Sequence, residues 1–177
     1  MNRKVSVLRR KVKYVRLEVN LKDLRIIAPE NFKVNESEIL QRHQKWIQNK
    51  IKKLNEIKRG SKNLKIYNHE DLNGLVNLYV EKIGEILKVK PNKVLFRKMK
   101  VRWGSCHYKK RTIIFNKFLK YLPEELIEYV VLHEMCHLLI KNHKKEFWLL
   151  IKKFDFNFNE KEKLLASYRL KLNFLNS

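Results

Sequence analysis

The first third of the chain carries the apolar pattern of β-strands. Short runs rich in Val, Leu and Ile occupy residues 5–8, 14–19 and 24–28. In the second run, Val15, Leu17 and Val19 alternate with polar residues, and Pro29 closes the third run. Alternation with a period of two places such side chains on one face of an extended chain. We predict three strands that follow one another as a meander.

The pattern then changes to the period of helices. Asn35 followed by Glu38 has the spacing of a capping box, in which side chains satisfy the first backbone amides of a helix. Apolar residues recur at helical spacing after it, at Ile39, Trp46, Ile47, Ile51 and Leu54. We therefore predict a helix over residues 36–57. A second amphipathic segment predicts a helix over residues 70–87, ended by Pro91.

A polar segment from Arg59 to Asn63 has the composition of a linker, with Gly and Ser between two patterned regions. The 177 residues are long enough for one domain and short for two. We predict a single domain over residues 1–177. Its parts are a strand-rich N-terminal lobe with a helix, residues 1–60, and a second lobe, residues 61–177, that carries the chemistry.

The second lobe mixes strand and helix patterns. Residues 94–99 and 112–115 predict two strands joined as an antiparallel hairpin through a connection that contains Trp103 and Gly104. Pro123 and the two glutamates after it predict a helix start, because carboxylates favour the positive end of the helix dipole. Two further helices are predicted over residues 145–154 and 159–172. The fold class is therefore α+β.

A metal-binding motif lies in the helix predicted after Pro123. The sequence His133-Glu134-Met135-Cys136-His137 places two imidazoles four residues apart, on one face of the helix, where both can reach a single ion. His143 follows six residues later and is predicted as the third ligand. Zn²⁺ in a catalytic site takes three protein ligands and keeps one position open. Glu146 and Asp155 are alternative third ligands.

The motif predicts hydrolysis as the reaction. Zinc and Glu134 would activate a water, the hydroxide would attack a carbonyl carbon, and Glu134, as general base, would return the proton to the leaving amine. Four residues qualify by chemistry to stabilise the oxyanion: His107, Tyr108, Arg102 and Tyr129. The alternative interpretation is an ordinary buried helix whose histidines are merely hydrogen-bonded.

Composition and charge indicate where the protein acts and what it could contact. Hydrophobic residues at 44% exclude a disordered chain, and apolar stretches are too short to cross a membrane, so we expect no membrane partner. No secretory signal pattern opens the sequence, and the two cysteines are expected as reduced thiols, so we predict a cytoplasmic protein. The net charge of +23 predicts possible contact with nucleic acid or ribosomes.

Several separated motifs together resemble one known family. They are Arg102-Trp103-Gly104-Ser105-Cys106, Ile114-Phe115-Asn116, the run from Tyr129 to His137, Asn142-His143 and Phe147-Trp148. In order and spacing these are similar to the YgjP-like metallopeptidase domain family, and Ala28-Pro29 and Trp46-Ile47 extend the likeness to nearly the whole chain. His107 departs from the family pattern, which commonly has serine there.

The resemblance implies a zincin-like fold, with a small antiparallel sheet packed on helices that include the metal helix. It also implies His133, His137 and His143 as ligands, Glu134 as the catalytic residue, and kinship with SprT-like proteases that cut proteins crosslinked to DNA. The substrate would be a protein or peptide. Two other functions stay open from the residues: a basic nucleic-acid- or ribosome-binding protein with a structural metal, and a protease recruited by DNA.

Overall fold

The computed structural model describes residues 4–175. The chain divides into two compact units, one ending at Lys62 and the other beginning at Asn63. The division falls inside the polar segment, Arg59 to Asn63, in which the sequence predicts a linker, although residues 59–61 of that segment are helical. That the two units are lobes of one domain stays a prediction.

The N-terminal unit contains a three-stranded mixed sheet. Its strands are β1 (Lys4–Arg9), β2 (Arg16–Val19) and β3 (Asp23–Ala28). They lie in the order β1-β3-β2, with β1 parallel and β2 antiparallel to β3. The predicted meander is therefore wrong. The physical reason is visible in β3, whose residues Ile26, Ile27 and Ala28 are fully buried, because a strand that is apolar on both faces is stable at the centre of a sheet.

Two helices complete the N-terminal unit, α1 (Glu36–Arg42) and α2 (Gln44–Ser61). The predicted start is confirmed, since the Asn35 side chain accepts a hydrogen bond from the Glu38 amide. The single predicted helix is wrong, because the backbone leaves helical geometry at His43. A small core joins sheet and helix through Val19, Leu24, Ile26 and Ile47.

The second unit contains another mixed sheet and a helix before it. The helix α3 (Leu72–Leu87) starts at Asp71, whose carboxylate accepts from the Gly74 amide, and ends at Lys88 with a left-handed backbone. The strands are β4 (Lys93–Arg97), β5 (Gly104–His107) and β6 (Thr112–Asn116), in the order β4-β6-β5.

The expected antiparallel sheet and hairpin are both wrong in this unit. Strand β4 pairs with β6 in parallel, and the hairpin partner of β6 is β5. The connection between the two predicted strands is long enough to contain β5, which lies antiparallel to β6 across a short turn of 3₁₀ helix, Tyr108–Lys110. A connection of that length permits the parallel pairing of β4 and β6.

A short 3₁₀ helix, Lys117–Tyr121, follows the second sheet and leads to three α-helices: α4 (Glu124–Cys136), α5 (Lys145–Phe154) and α6 (Phe158–Leu175). The α4 start after Pro123 and the α5 bounds are confirmed, and α6 is longer than predicted. Helix α4 is buried on most of its surface, so it forms the centre of this core. The α+β class is confirmed. Within residues 4–175, no helix combines the length and apolarity needed to cross a membrane.

Candidate metal centre

Three histidines converge at the end of helix α4. His133 lies in its last turn, His137 caps its C-terminus, and His143 lies in the loop before α5. The Nε2 atom of His143 is 2.9 Å from that of His133 and 3.0 Å from that of His137. The three side chains therefore offer ring nitrogens that all lie within 4.8 Å of one another.

The helix end fixes the ring of His137. Its Nδ1 atom lies 2.9 Å from the carbonyl oxygen of Ile140, so Nδ1–H donates to that oxygen and Nε2 keeps a lone pair. Ile140 is placed there because its amide bonds the Cys136 carbonyl, which closes the last turn of the helix. The turn thus orients a nitrogen that could bind a metal, without help from another side chain.

Aromatic residues at the start of α5 pack against the histidine rings. Phe147 stacks on His137 with ring centroids 4.5 Å apart, and Trp148 stacks on His143 at 5.5 Å. The indole N–H of Trp148 also donates to the His143 carbonyl oxygen over 3.1 Å. Trp148 therefore holds both the ring and the backbone of His143.

The surroundings favour the neutral form of two of the histidines. Burial, with smaller contributions from the two neighbouring histidines, lowers the pKa of His133 to about 3. Burial also lowers the pKa of His137. A neutral imidazole is the form that binds a metal.

A carboxylate and a phenol lie behind His133. The Nδ1 atom of His133 is 3.7 Å from Oε1 of Glu162, and the Tyr129 hydroxyl donates to that same oxygen over 2.8 Å. Burial of Tyr129 and the adjacent Glu162 charge raise the pKa of the phenol, which stays protonated as a donor. A carboxylate facing the other ring nitrogen commonly orients a metal-binding histidine.

Glu134 is a buried carboxylate in the same cleft. It is 6% exposed, and burial raises its pKa to about 8, although the charge of Arg102 acts in the opposite direction. Its Oε2 atom has no hydrogen-bond partner among the described residues. A buried carboxylate oxygen without a partner is costly in a purely structural role, so this atom is suited to a ligand or water in the cleft.

Gly104 makes room for Glu134. A Cβ atom at this position would lie 2.6 Å from Cγ and 2.7 Å from Oε1 of Glu134. The first residue of β5 therefore has to lack a side chain for the carboxylate to keep its place. The sequence pattern alone marks this glycine only as part of the connection between two strands.

The arrangement fits a metal ion. Nε2 of His143 can carry one proton and can therefore donate a hydrogen bond to only one of the two neighbouring histidines. The Nε2 lone pair of the other histidine is left without a donor. A cation among the three nitrogens satisfies all of them. Imidazole nitrogens suit divalent transition metals, and a set of three leaves a coordination position for a water or substrate.

A cleft of about 720 Å³ leads to this centre. Its walls include Arg102, Gly104 and Cys106 from the segment that begins before β5, and Lys141 and Arg169.

Cys106 and Cys136 are both thiols, and burial raises the pKa of Cys106 to about 11 and that of Cys136 to about 12. The cytoplasmic location stays a prediction.

The structure separates the other candidate residues into two groups. Arg102 and Tyr129 line the cleft, but the Tyr129 hydroxyl is bonded to Glu162. His107 and Tyr108 are exposed and outside the cleft lining. The alternative third ligands are not brought to the histidines: Glu146 is exposed, and Asp155 pairs with Lys161 at 2.6 Å.

The chain was compared with known families, curated proteins and solved structures. The model of the YgjP-like metallopeptidase domain matches residues 58–168, which contain the histidines, Glu134, Gly104 and Glu162. No curated protein matches the chain. Among solved structures, the chain is similar to the crystal structure of the metallopeptidase zymogen of Pyrococcus abyssi abylysin, at 27% identity and a TM-score of 0.41, over 44% of this chain and 77% of that one. The wider likeness that includes the N-terminal unit stays a prediction.

Proposed function

The chain belongs to the YgjP-like metallopeptidase family, and from this membership we propose that it is a zinc-dependent peptidase with Glu134 as general base. Membership of the family supports a metal-dependent peptidase that acts on proteins or peptides. Zinc, the three-histidine ligand set and the role of Glu134 are the finer parts of the proposal. One observation carries them: three imidazole nitrogens and an unpartnered carboxylate oxygen meet in one cleft.

The ligand set favours a catalytic over a structural metal. Structural zinc sites are normally closed by four ligands, often cysteines. The described residues bring together three histidines, and both cysteines lie outside this group. A Zn²⁺ ion held by His133, His137 and His143 would supply Lewis acidity, which lowers the pKa of a coordinated water toward about 7.

Glu134 handles the proton in this proposal. Its Oε2 atom accepts a proton from the attacking water and later returns it to the nitrogen of the leaving amine. Gly104 keeps the carboxylate in place, since any side chain there would collide with it. The charge of Arg102, which acts on Glu134, also favours the negative charge that develops on the carbonyl oxygen.

Strand β5 offers a way to align a peptide substrate. It is an edge strand of its sheet, and its residues Gly104, Ser105 and Cys106 line the cleft. An extended peptide can add to an edge strand through backbone hydrogen bonds, which give affinity without demanding a particular side chain. The substrate backbone would then run beside Glu134 and the three histidines.

Replacing Glu134 by Gln tests the role of the carboxylate. We expect cleavage of dye-labelled casein to fall by about 10²- to 10⁴-fold, the usual contribution of a general base, while elemental analysis finds unchanged metal content. The matched control is Glu128→Gln on the same helix, where an exposed carboxylate pairs with Lys82. Full activity in Glu134→Gln, with metal bound, would refute the assignment.

A further inference from the structure

A groove on the N-terminal unit has the character of a binding site. It has a volume of about 500 Å³ and is lined from strand β2, the loop after β3, and helices α1 and α2. Phe32 and Trp46, two of its lining residues, are each 47% exposed. The sequence pattern placed Trp46 on the apolar face of a helix, whereas the structure leaves half of it accessible. Two large rings exposed within one groove cost free energy in water, so they indicate a surface that is covered by a ligand.

Cations surround these rings. The charged and titratable residues that line the groove are Arg16, Lys33, Arg42, His43 and Glu38. Arg16 lies 3.8 Å from Glu18, in a pair exposed enough to be weak in water. Lys33 and Arg42 have no ion pair or hydrogen bond from their side chains to any described residue. The groove therefore presents more positive than negative charge, and part of it is uncompensated.

The backbone that carries Phe32 is held in place. The Arg9 guanidinium donates hydrogen bonds to the carbonyl oxygens of Pro29 and Phe32. The loop after β3 is thus tied to strand β1. Such an attachment lets the Phe32 ring remain at the groove wall without being buried.

The net charge per residue is higher in the same unit. Residues 1–62 contain 18 Lys and Arg against 6 Asp and Glu, a net charge of +12. Residues 63–177 contain 23 against 12, a net charge of +11 in a segment almost twice as long. The unit without the three histidines therefore has the higher density of positive charge, which favours contact with a polyanion.

We propose that this groove binds single-stranded nucleic acid. Unpaired bases would stack on Trp46 and Phe32, and the phosphates would lie against Lys33, Arg42 and Arg16. Exposed aromatic rings combined with cations along a groove are the usual means of binding single strands without a sequence preference. A duplex fits less well, because its base faces are already stacked and cannot cover the two rings. An acidic protein would use the charge and leave the rings exposed.

Binding of a labelled oligonucleotide tests the proposal on the full chain. The probe is a fluorescein-labelled oligothymidylate of about 12 nucleotides, and fluorescence anisotropy gives its Kd. A DNA hairpin with the same number of phosphates is the competitor. We expect the single strand to bind more tightly than the hairpin, with an affinity that falls as salt rises from about 50 mM to about 200 mM.

Variants separate stacking from charge. Trp46→Ala is expected to weaken binding by about 5- to 150-fold, and Trp46→Phe to restore most of it, since phenylalanine also stacks. Lys50→Ala on the same helix removes an exposed charge outside the groove and is expected to change Kd by less than about twofold. Phe32→Ala is a second variant that removes a stacking ring, and Phe32 lies in a loop. It replaces Trp46→Ala if circular dichroism shows that Trp46→Ala does not fold.

Two results would overturn the proposal. One is that folded Trp46→Ala and Phe32→Ala bind the probe as tightly as the native chain, which leaves charge alone as the cause. The other is that the hairpin competes as well as the single strand. Casein cleavage is measured on the same variants. The groove contains no residue of the proposed metal centre, so a failure of the nucleic-acid proposal can be told apart from a failure of the peptidase proposal.

Discussion

The two units carry concave sites built on opposite principles. In the second unit, the polar groups of the cleft are held from several sides: Phe147 and Trp148 pack on the histidines, and Gly104 makes space for Glu134. In the N-terminal unit, Trp46, Phe32 and the cations around them are exposed. Chemistry on a substrate needs groups fixed in advance in a dry environment, whereas polyanion binding needs only accessible charge and ring faces.

The difference predicts how each site responds to small changes. A methyl group added at Gly104 should have a large effect, because it would lie too close to the side chain of Glu134. A similar change in the exposed groove should alter only the contact that is removed. The following predictions probe that contrast.

Among these three predictions, the largest effect is expected from Gly104→Ala. The added Cβ would lie 2.6 Å from Cγ of Glu134, so the carboxylate or the strand has to move. A displacement of about 1 Å commonly costs about 100-fold in rate, and we expect that loss in kcat/KM for casein cleavage. The metal content should remain that of the native protein, because no proposed ligand is altered. Native activity in this variant would show that the cleft is not as constrained as we describe.

A smaller effect is expected from Glu162→Gln. Its carboxylate faces Nδ1 of His133 and accepts from Tyr129, so the neutral amide should weaken the orientation of the histidine ring. We expect metal affinity to fall by about 10-fold, as measured by competition with a chelating dye. Glu160→Gln on the same helix is the control, because that carboxylate is exposed and lies outside the cleft. Equal affinities for both variants would remove Glu162 from the site.

The smallest effect is expected from Asn35→Ala. This change removes the side-chain cap of α1, and loss of such a cap typically costs about 1 kcal/mol of stability. Urea unfolding should report a lower stability, while metal content and casein cleavage stay unchanged, because the proposed metal centre lies within the second unit. A loss of bound metal in Asn35→Ala would break the separation of roles between the units. Asp71→Ala removes the corresponding cap of α3, in the second unit, and its loss of stability is compared with that of Asn35→Ala.

The sequence predicted best what depends on local pattern. The bounds of α5, the start of α4 and the cap at Asn35 follow from periodicity and capping chemistry, which act over a few residues. The gathering of His133 and His137 follows from helix geometry alone. His143 was within reach because only a short turn separates it from α4.

What depends on tertiary packing could not be predicted. A period of two identifies a strand but not its partners, so the strand orders β1-β3-β2 and β4-β6-β5 were missed. The continuous apolar residues of β3 were a usable signal for a central strand. Glu162 lies far from the motif in sequence and reaches His133 only because α6 packs on α4, and no local pattern marks it.

Elemental analysis of bound metal tests the central claim most directly. The native protein and His143→Ala are purified without chelator, supplied with zinc and freed of excess metal. We predict about one zinc per native chain and a marked loss in the variant, since two histidines alone hold the ion weakly. A native protein without bound zinc, or a His143→Ala variant that retains it fully, would contradict the three-histidine centre.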